Sequence, residues 1–345
     1  MELSSTHVPP ARPAPFSPAE MELHLNRLRR VAPGLHACVD TGRARDWARD
    51  ATARAAFAAD DFGDEHAGGR GTSYVRAQAH NLTARAEGIR RLLALIRGDR
   101  APARTTVVDV LGGDGLVRRV AGRLGMTDVA VLTCDASPYM VRAAWSARCP
   151  ALLQRADRLL QHDGSVDGVL VAYGSHHIAP RDRAELAREA HRVLRPGGVM
   201  VLHDFLVGSP MDTWFGEVVD RYSRTGHTFE HFTREDIGNY LTKAGFEPVE
   251  VISMNDPYTA GAATPEAAEI DLGHYLLDMY GLTGIEDIHG PEAARRTIGL
   301  AKGIFREVGA DGTVHGFSMR YDMSSKVWKC TVPRTAVVGI GRKPV

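Results

Sequence analysis

Cysteine is scarce in this chain. Cys38, Cys134, Cys149 and Cys330 are its four, and no two stand in a CxxC pair. That spacing argues against a disulfide frame and a thiolate zinc site, and it suits a reducing cytoplasm. Net charge is lacking too: 42 Lys and Arg balance 42 Asp and Glu, so no global field draws the protein to nucleic acid or to an anionic membrane. No apolar run approaches the roughly 18–20 residues that a membrane span needs. Internal repeats are absent. The opening MELSSTHVPPARPAPFSP is rich in proline and has no apolar signal core, so residues 1–17 read as a disordered tail. These absences leave a cytoplasmic globular protein, with no membrane and no nucleic acid among its expected partners. At 345 residues and 44% hydrophobic content it can bury a full core and one extra lobe.

Helical signals fill residues 18–103. The stretch 19–39 carries leucines near helical spacing, interrupted at Pro33–Gly34, and ARDWARDATARAAFAADDF is rich in alanine. After glycines at 68, 69 and 71, AQAHNLTARAEGIRRLLALIRG reads as another amphipathic helix ending near Gly98. Such a lobe suits a lid over a cleft or the interface of a homodimer.

From Thr105 the pattern changes to strands alternating with helices, which implies a parallel sheet covered on both faces. Strands are expected at 105–111, 129–134, 166–172 and 198–205, with helices near 115–125, 137–147 and 180–194. A shorter strand is expected near 151–154. Thr233, with Asp236 three residues on, reads as the capped start of a further helix. Strands then follow from Pro248 and over 331–344. Between them lies an insertion of roughly 75 residues with helices near 265–280 and 291–308. A connection that long is uncommon unless it forms a lid or a binding lobe.

Residues 107–140 organise the rest. An apolar strand runs into a glycine turn at Gly112, Gly113 and Gly115. A helix and a second strand follow, and Asp135 ends that strand. A glycine turn admits a ligand close to the backbone, and an acid about twenty residues on is placed to grip a ribose. In a dinucleotide-binding turn the third glycine falls three residues after the second. Here Arg118 occupies that place, which disfavours a dehydrogenase.

With these motifs the chain resembles the class I S-adenosylmethionine-dependent methyltransferases, over about 104–252 and again over 330–344. The stretches that carry the likeness are Asp109-Val110-Leu111-Gly112-Gly113-Asp114-Gly115, Cys134-Asp135-Ala136-Ser137-Pro138-Tyr139-Met140, and LAREAHRVLRPGGVMVLHDF. Leu111 departs from the pattern, since glycine is most frequent there. The resemblance implies an α/β fold, Rossmann-like and doubly wound, with a mostly parallel seven-stranded sheet. It also implies S-adenosylmethionine as cofactor, held by Asp109, Gly112, Gly113, Gly115, Asp135, Ala136, Met140, Asp157, Arg158 and Tyr173. The corresponding division is a tail (1–17), a helical lobe (18–103), the cofactor-binding core (104–252), a pocket-forming insertion (253–329) and a last core strand (330–345). The family's (Asp/Asn)-Pro-Pro-aromatic tetrapeptide for nucleic-acid substrates is missing.

Histidines gather where the reaction would occur. His176 and His177 follow the fourth strand, His203 and Asp204 end the fifth, and His227 and His231 stand four apart, so that one helical turn would place both on a face. His274 and His315 lie in the insertion. Two imidazoles on one face with a third from elsewhere can make a three-nitrogen metal site with an open position. The layout also resembles the 2-oxo acid C-methyltransferases of amino-acid and peptide-antibiotic pathways. That likeness implies a small 2-oxo acid substrate and a divalent metal, zinc or iron, on His177, His227 and His231. His176, His203 and Asp204 are then the catalytic candidates. Two alternatives stay open: an O- or N-methyltransferase with a histidine base, and a protein that holds S-adenosylmethionine for cyclisation without transferring its methyl group.

Overall fold

Two-residue alternation assigns each strand residue to one of two apolar cores. In β1 (Thr105–Val110), Val107 packs into one core, while Val108 and Val110 pack into the other. The computed structural model describes residues 16–50, 62–63, 68–98, 104–227, 229–308 and 313–345. Most of the tail expected to be disordered, and the middle of the alanine-rich stretch, fall outside the described residues. Phe16 and Ser17, assigned to that tail, are ordered parts of the fold: Phe16 is buried, and Ser17 caps the first helix.

Strands β2 (Val129–Asp135), β3 (Ala151–Leu153), β4 (Val166–Val171) and β5 (Leu194–Asp204) join β1 in parallel. β6 (Val249–Asn255) forms the far edge. Between β5 and β6 lies the last strand, β12 (Thr335–Arg342), antiparallel to both. The order across the sheet is therefore β3-β2-β1-β4-β5-β12-β6. This is the class I methyltransferase sheet. Its order reverses between β1 and β4, and in such sheets ligands bind beyond the carboxyl ends of the strands at that point.

Helices α1 (Pro18–Val31), α2 (Pro33–His36) and α3 (Thr41–Arg49) pack on one side, with α7 (Pro138–Ser146) and α8 (Pro180–Val193). The opposite side receives α4 (Gly71–His80), α5 (Ala86–Arg97) and α6 (Leu116–Arg123). In α5 the buried Ile89, Leu92, Leu93 and Ile96 repeat at helical spacing, and each such side chain contributes about 1.5–3 kcal/mol relative to exposure. A helical segment begins as α9 (Pro210–Trp214), loosens into one π turn (Phe215–Val219) and ends as α10 (Asp220–Tyr222). α11 (Arg234–Lys243) starts with the capping box expected at Thr233 and Asp236.

The insertion is more elaborate than expected. It contains β7 (Tyr258–Ala262), α12 (Pro265–Tyr280), α13 (Thr283–His289) and α14 (Ala293–Ile304), then the short pair β8 (Glu307–Val308) and β9 (Val314–His315). β10 (Ser318–Asp322) and β11 (Val327–Val332) join β7 in an antiparallel sheet of their own. The single strand expected over 331–344 is thus two strands. Pro333, which cannot donate to a ladder, and Arg334 separate β11 from β12. Among the described residues no helix is long and apolar enough to cross a membrane.

Candidate functional site

A cavity of about 510 Å³ opens beyond the carboxyl ends of β1, β2 and β4, within the range of small-molecule sites. Its first half is built from backbone. After β1 the chain turns through Leu111 at φ 62°, Gly113 at 56° and Gly115 at 83°. Leu111 occupies a left-handed conformation that glycine adopts more easily. That accounts for the departure noted in the sequence: the backbone kept the glycine shape and the side chain did not. A side chain at Gly112 would press within 2.7 Å of the Asp109 carboxylate, so this turn must stay bare.

Asp135, at the end of β2, accepts from the Gly113 amide at 2.8 Å and the Ser137 amide at 2.8 Å. A carboxylate oxygen can take more than one donor, so these bonds leave it able to receive ribose hydroxyls. Asp109 is buried, and burial, followed by the negative charge of Asp135, pushes its carboxyl well above the usual range. Ala136, Met140, Asp157 and Tyr173 also line the cavity. Two expectations need correction. Gly115 lies behind the wall, where a side chain would meet Cys149 at 2.7 Å. Arg158 is exposed, while its neighbour Arg155 lines the cavity and grips Asp157 through two bonds of 2.8 and 2.7 Å.

The second half is built on imidazoles: His176 and His177 line the cavity, and His227 and His231 pack against them. His176 and His177 form a 3-10 turn just beyond β4. Asp204 accepts from the His176 amide and lies 2.8 Å from His176 Nδ1. A carboxylate only accepts, so Nδ1 carries the proton and Nε2 is bare. His231 repeats the device, with Nδ1 at 2.6 Å from Asp212. The nitrogens His176 Nε2, His177 Nδ1, His227 Nε2 and His231 Nε2 are all buried, with no hydrogen-bond partner among the described residues. His176, His177 and His227 each offer a ligand atom within 4.8 Å of the others, and His176, Asp204 and His231 form a second such group.

Burial keeps His177, His227 and His231 neutral. It is the main cause lowering His177 well below the ordinary range, lowering His227 to about 3, and lowering His231. Burial alone would raise Asp204, but its interaction with His176 outweighs it and the carboxyl is lowered. The Phe215 ring stacks on His227 at 3.9 Å and 24°. Phe215 opens the π turn, a distortion that recurs at functional sites.

The expected triad needs correction as well. His227 and His231 sit in a loop rather than on one helical face. Their rings still come together, 5.4 Å apart and nearly parallel, because both pack against Phe215 and His176. His176, expected as the base, is the member common to both groups. His203 is not at the cavity: its Nδ1 accepts from the Tyr173 amide at 3.4 Å and its Nε2 donates to Asp256 at 3.0 Å. With both nitrogens occupied and the side chain fully buried, His203 cannot serve as a base. Asp204, also fully buried, acts through His176. His274 and His315 lie outside both groups. Sequence reading missed Arg85, Tyr258, Tyr280 and Arg334, all on the cavity wall, because single aromatic and basic residues in long helices and loops carry no local signal.

A family model described as a methyltransferase domain matches residues 108–202. Over these residues the chain is similar to a methyltransferase domain, in keeping with its sheet. The ubiquinone/menaquinone biosynthesis C-methyltransferase UbiE of Hahella chejuensis is 27% identical over 146 residues, which span 39% of this chain and 57% of that protein. The match thus covers little more than half the length of that relative. Among solved structures, the YcgJ protein of Bacillus subtilis aligns at 17% identity with a TM-score of 0.45, covering 74% of this chain and 99% of its own. A Haemonchus contortus phosphoethanolamine N-methyltransferase in complex with S-adenosylmethionine aligns at 16% and 0.45, covering 74% of this chain and 53% of its own. The methyltransferase domain takes in the glycine turn, Asp135, both cavity histidines and most of β5.

Proposed function

We propose that this chain is an S-adenosylmethionine-dependent C-methyltransferase acting on the β-carbon of a 2-oxo acid, with a divalent metal held by its histidines. The observation that carries the reading is the set of four bare, buried imidazole nitrogens beside the glycine-turn half of the cavity. Neutral imidazole is the ligating form. Carboxylates behind His176 and His231 fix ring orientation, as metal-binding histidines require. The donor set therefore fits zinc or iron, with His176, His177 and His227 as the ligands.

The glycine turn would receive the cofactor, with Asp135 on the ribose and Met140, Ala156 and Asp157 around the base. Bound there, S-adenosylmethionine supplies an electrophilic methyl group on a sulfonium. A metal on the three imidazoles would supply Lewis acidity toward the carboxylate and keto oxygens of the acceptor. His231 is the imidazole left over, and its bare Nε2, steadied by Asp212, takes the β-proton. Phe62, Phe215 and Phe229 wall this end and exclude water. The Hahella relative is by name also a methyltransferase to carbon.

The test is turnover with S-adenosylmethionine and a panel of 2-oxo acids, before and after thorough metal removal, together with metal analysis of the purified protein. We expect a β-methylated product, formation of S-adenosylhomocysteine, and loss of turnover on chelation that added metal restores. Turnover unaffected by chelation overturns the metal. Turnover of a phenol or an amine, with every 2-oxo acid inert, overturns the carbon acceptor.

A further inference from the structure

Three buried arginines line the cavity: Arg70, which donates to the Met279 carbonyl and lies over the Phe62 ring, Arg334 and Arg85. Arg334 forms an ion pair with Asp256, donates through Nε to the Asp256 carbonyl at 2.7 Å and bonds the Tyr258 hydroxyl. Asp256 is itself shared with His203. Arg85 is 1% exposed and meets no carboxylate within ion-pair reach among the described residues. Its Nη2 donates to the Tyr74 hydroxyl at 3.1 Å, and its guanidinium lies over the ring of Tyr173 at 4.5 Å. Its Nε is buried without a hydrogen-bond partner among the described residues. Aromatic faces offset part of the cost of a buried cation, and Asp109, Asp114 and Asp256 feel its charge from beyond ion-pair reach; a guanidinium in a dry site with no direct carboxylate partner has room for an anion.

Location says where that anion comes from. Arg85 immediately precedes α5 and lines the cavity. The ring of Tyr74, its hydrogen-bond partner, comes within 3.5 Å of the position a side chain would take at Gly113. One tyrosine ring thus separates Arg85 from the glycine turn. Nothing in the turn itself is cationic, and its side chains at Asp109 and Asp114 are acids. Arg295, Arg296 and Arg320 are exposed and do not line the cavity.

We infer that Arg85, positioned by Tyr74, is the carboxylate receptor of the cavity, so that the helical lobe before the core completes the binding site. The inference rests on the proposed function, which brings two carboxylates to this cavity: that of the cofactor's amino-acid end and that of the acceptor. Proximity to the glycine turn favours the first.

Direct binding distinguishes them. S-adenosylhomocysteine and 5′-methylthioadenosine share the nucleoside, and only the first carries the amino-acid carboxylate. Titration of wild-type protein, Arg85→Gln and Arg85→Lys with each should show Arg85→Gln weakening S-adenosylhomocysteine by roughly 10- to 100-fold, while methylthioadenosine stays within about 2-fold. Arg85→Lys should recover part of the loss. Retained methylthioadenosine affinity also reports that the variant is folded. If S-adenosylhomocysteine binding holds but KM for the 2-oxo acid rises at constant kcat, the receptor serves the acceptor's carboxylate. Equal weakening of both nucleosides, or no change in either nucleoside or in KM, overturns the assignment. Wild-type protein that binds neither nucleoside overturns the function on which it rests.

Discussion

The two halves of the cavity are made of different material. The glycine-turn half is backbone: amides of Gly113 and Ser137 converge on Asp135, and the whole device lies within 107–140. The histidine half is side chain, drawn from the ends of β4 and β5, from α9 and from the loop before α11. In the first, the central carboxylate takes two backbone amides, although Asp109 Oδ2, Asp114 Oδ1 and Thr133 Oγ1 are buried with no partner among the described residues. In the second, four imidazole nitrogens are buried with no partner among the described residues, and each unmet polar atom costs about 1–3 kcal/mol. The first half holds its shape through its own amides. The second has no such backbone frame and is stabilised by what it binds.

The sharpest way to break this contrast is His227→Ala. Its Nε2 has no hydrogen-bond partner among the described residues, so the change strands no buried charge and leaves the Asp204 and Asp212 pairs intact. Loss of even an outer-shell partner of a metal costs 10- to 100-fold, so removing a ligand should cut 2-oxo acid turnover by more than about 100-fold. Metal content should fall with it, while affinity for S-adenosylhomocysteine and the melting temperature of the metal-free protein change little. Parallel loss of cofactor binding would show that the halves are not independent.

Asp135→Ala tests the other side. Two backbone amides lose a charged acceptor, and the ribose loses its grip. Hydrogen bonds to a charged group are worth about 1.5–3 kcal/mol each, so S-adenosylhomocysteine should bind roughly 10- to 100-fold more weakly. Metal content should be unchanged, measured on the same preparation. A loss of metal would mean that the turn supports the histidines through β4.

The contrast also explains what could be read from residues alone. The core strands and the Asp135 cradle follow from local patterns: apolar alternation, a glycine turn, an acid at a fixed distance; the doubly wound sheet is implied by the resemblance, and its order comes from the structure. The capping box at Thr233 is equally local. The histidines were legible as residue types near strand ends but not as a geometry. His203 and His176 both sit by strand ends, yet one is consumed by Tyr173 and Asp256 while the other presents a bare nitrogen. That difference is decided by Asp256, 53 residues further on in the chain, which no periodicity announces. Arg85 and Arg334 were hidden for the same reason, since their meaning lies in which carboxylates are absent or present around them after folding.

The smallest expected effect concerns the residue that departs from the glycine pattern. Leu111 holds φ 62° beside the cavity, and Tyr173, at the end of the neighbouring strand, holds 66°. Such conformations cost a non-glycine residue about 1–2 kcal/mol. Leu111→Gly removes that strain but adds freedom to the unfolded chain, worth about 0.5–1 kcal/mol in the opposite direction. The net expectation is a protein more stable by up to about 1 kcal/mol, a rise of a few degrees at most in melting temperature. The Leu111 side chain also approaches Gly174, its Cδ1 lying 3.8 Å from the position of a side chain there. It thus buttresses the turn that carries His176 and His177. Removing it should leave S-adenosylhomocysteine affinity nearly constant and raise KM for the acceptor. If cofactor affinity falls and acceptor KM holds, Leu111 belongs functionally to the cradle, and the boundary between the halves lies on the β4 side of that side chain.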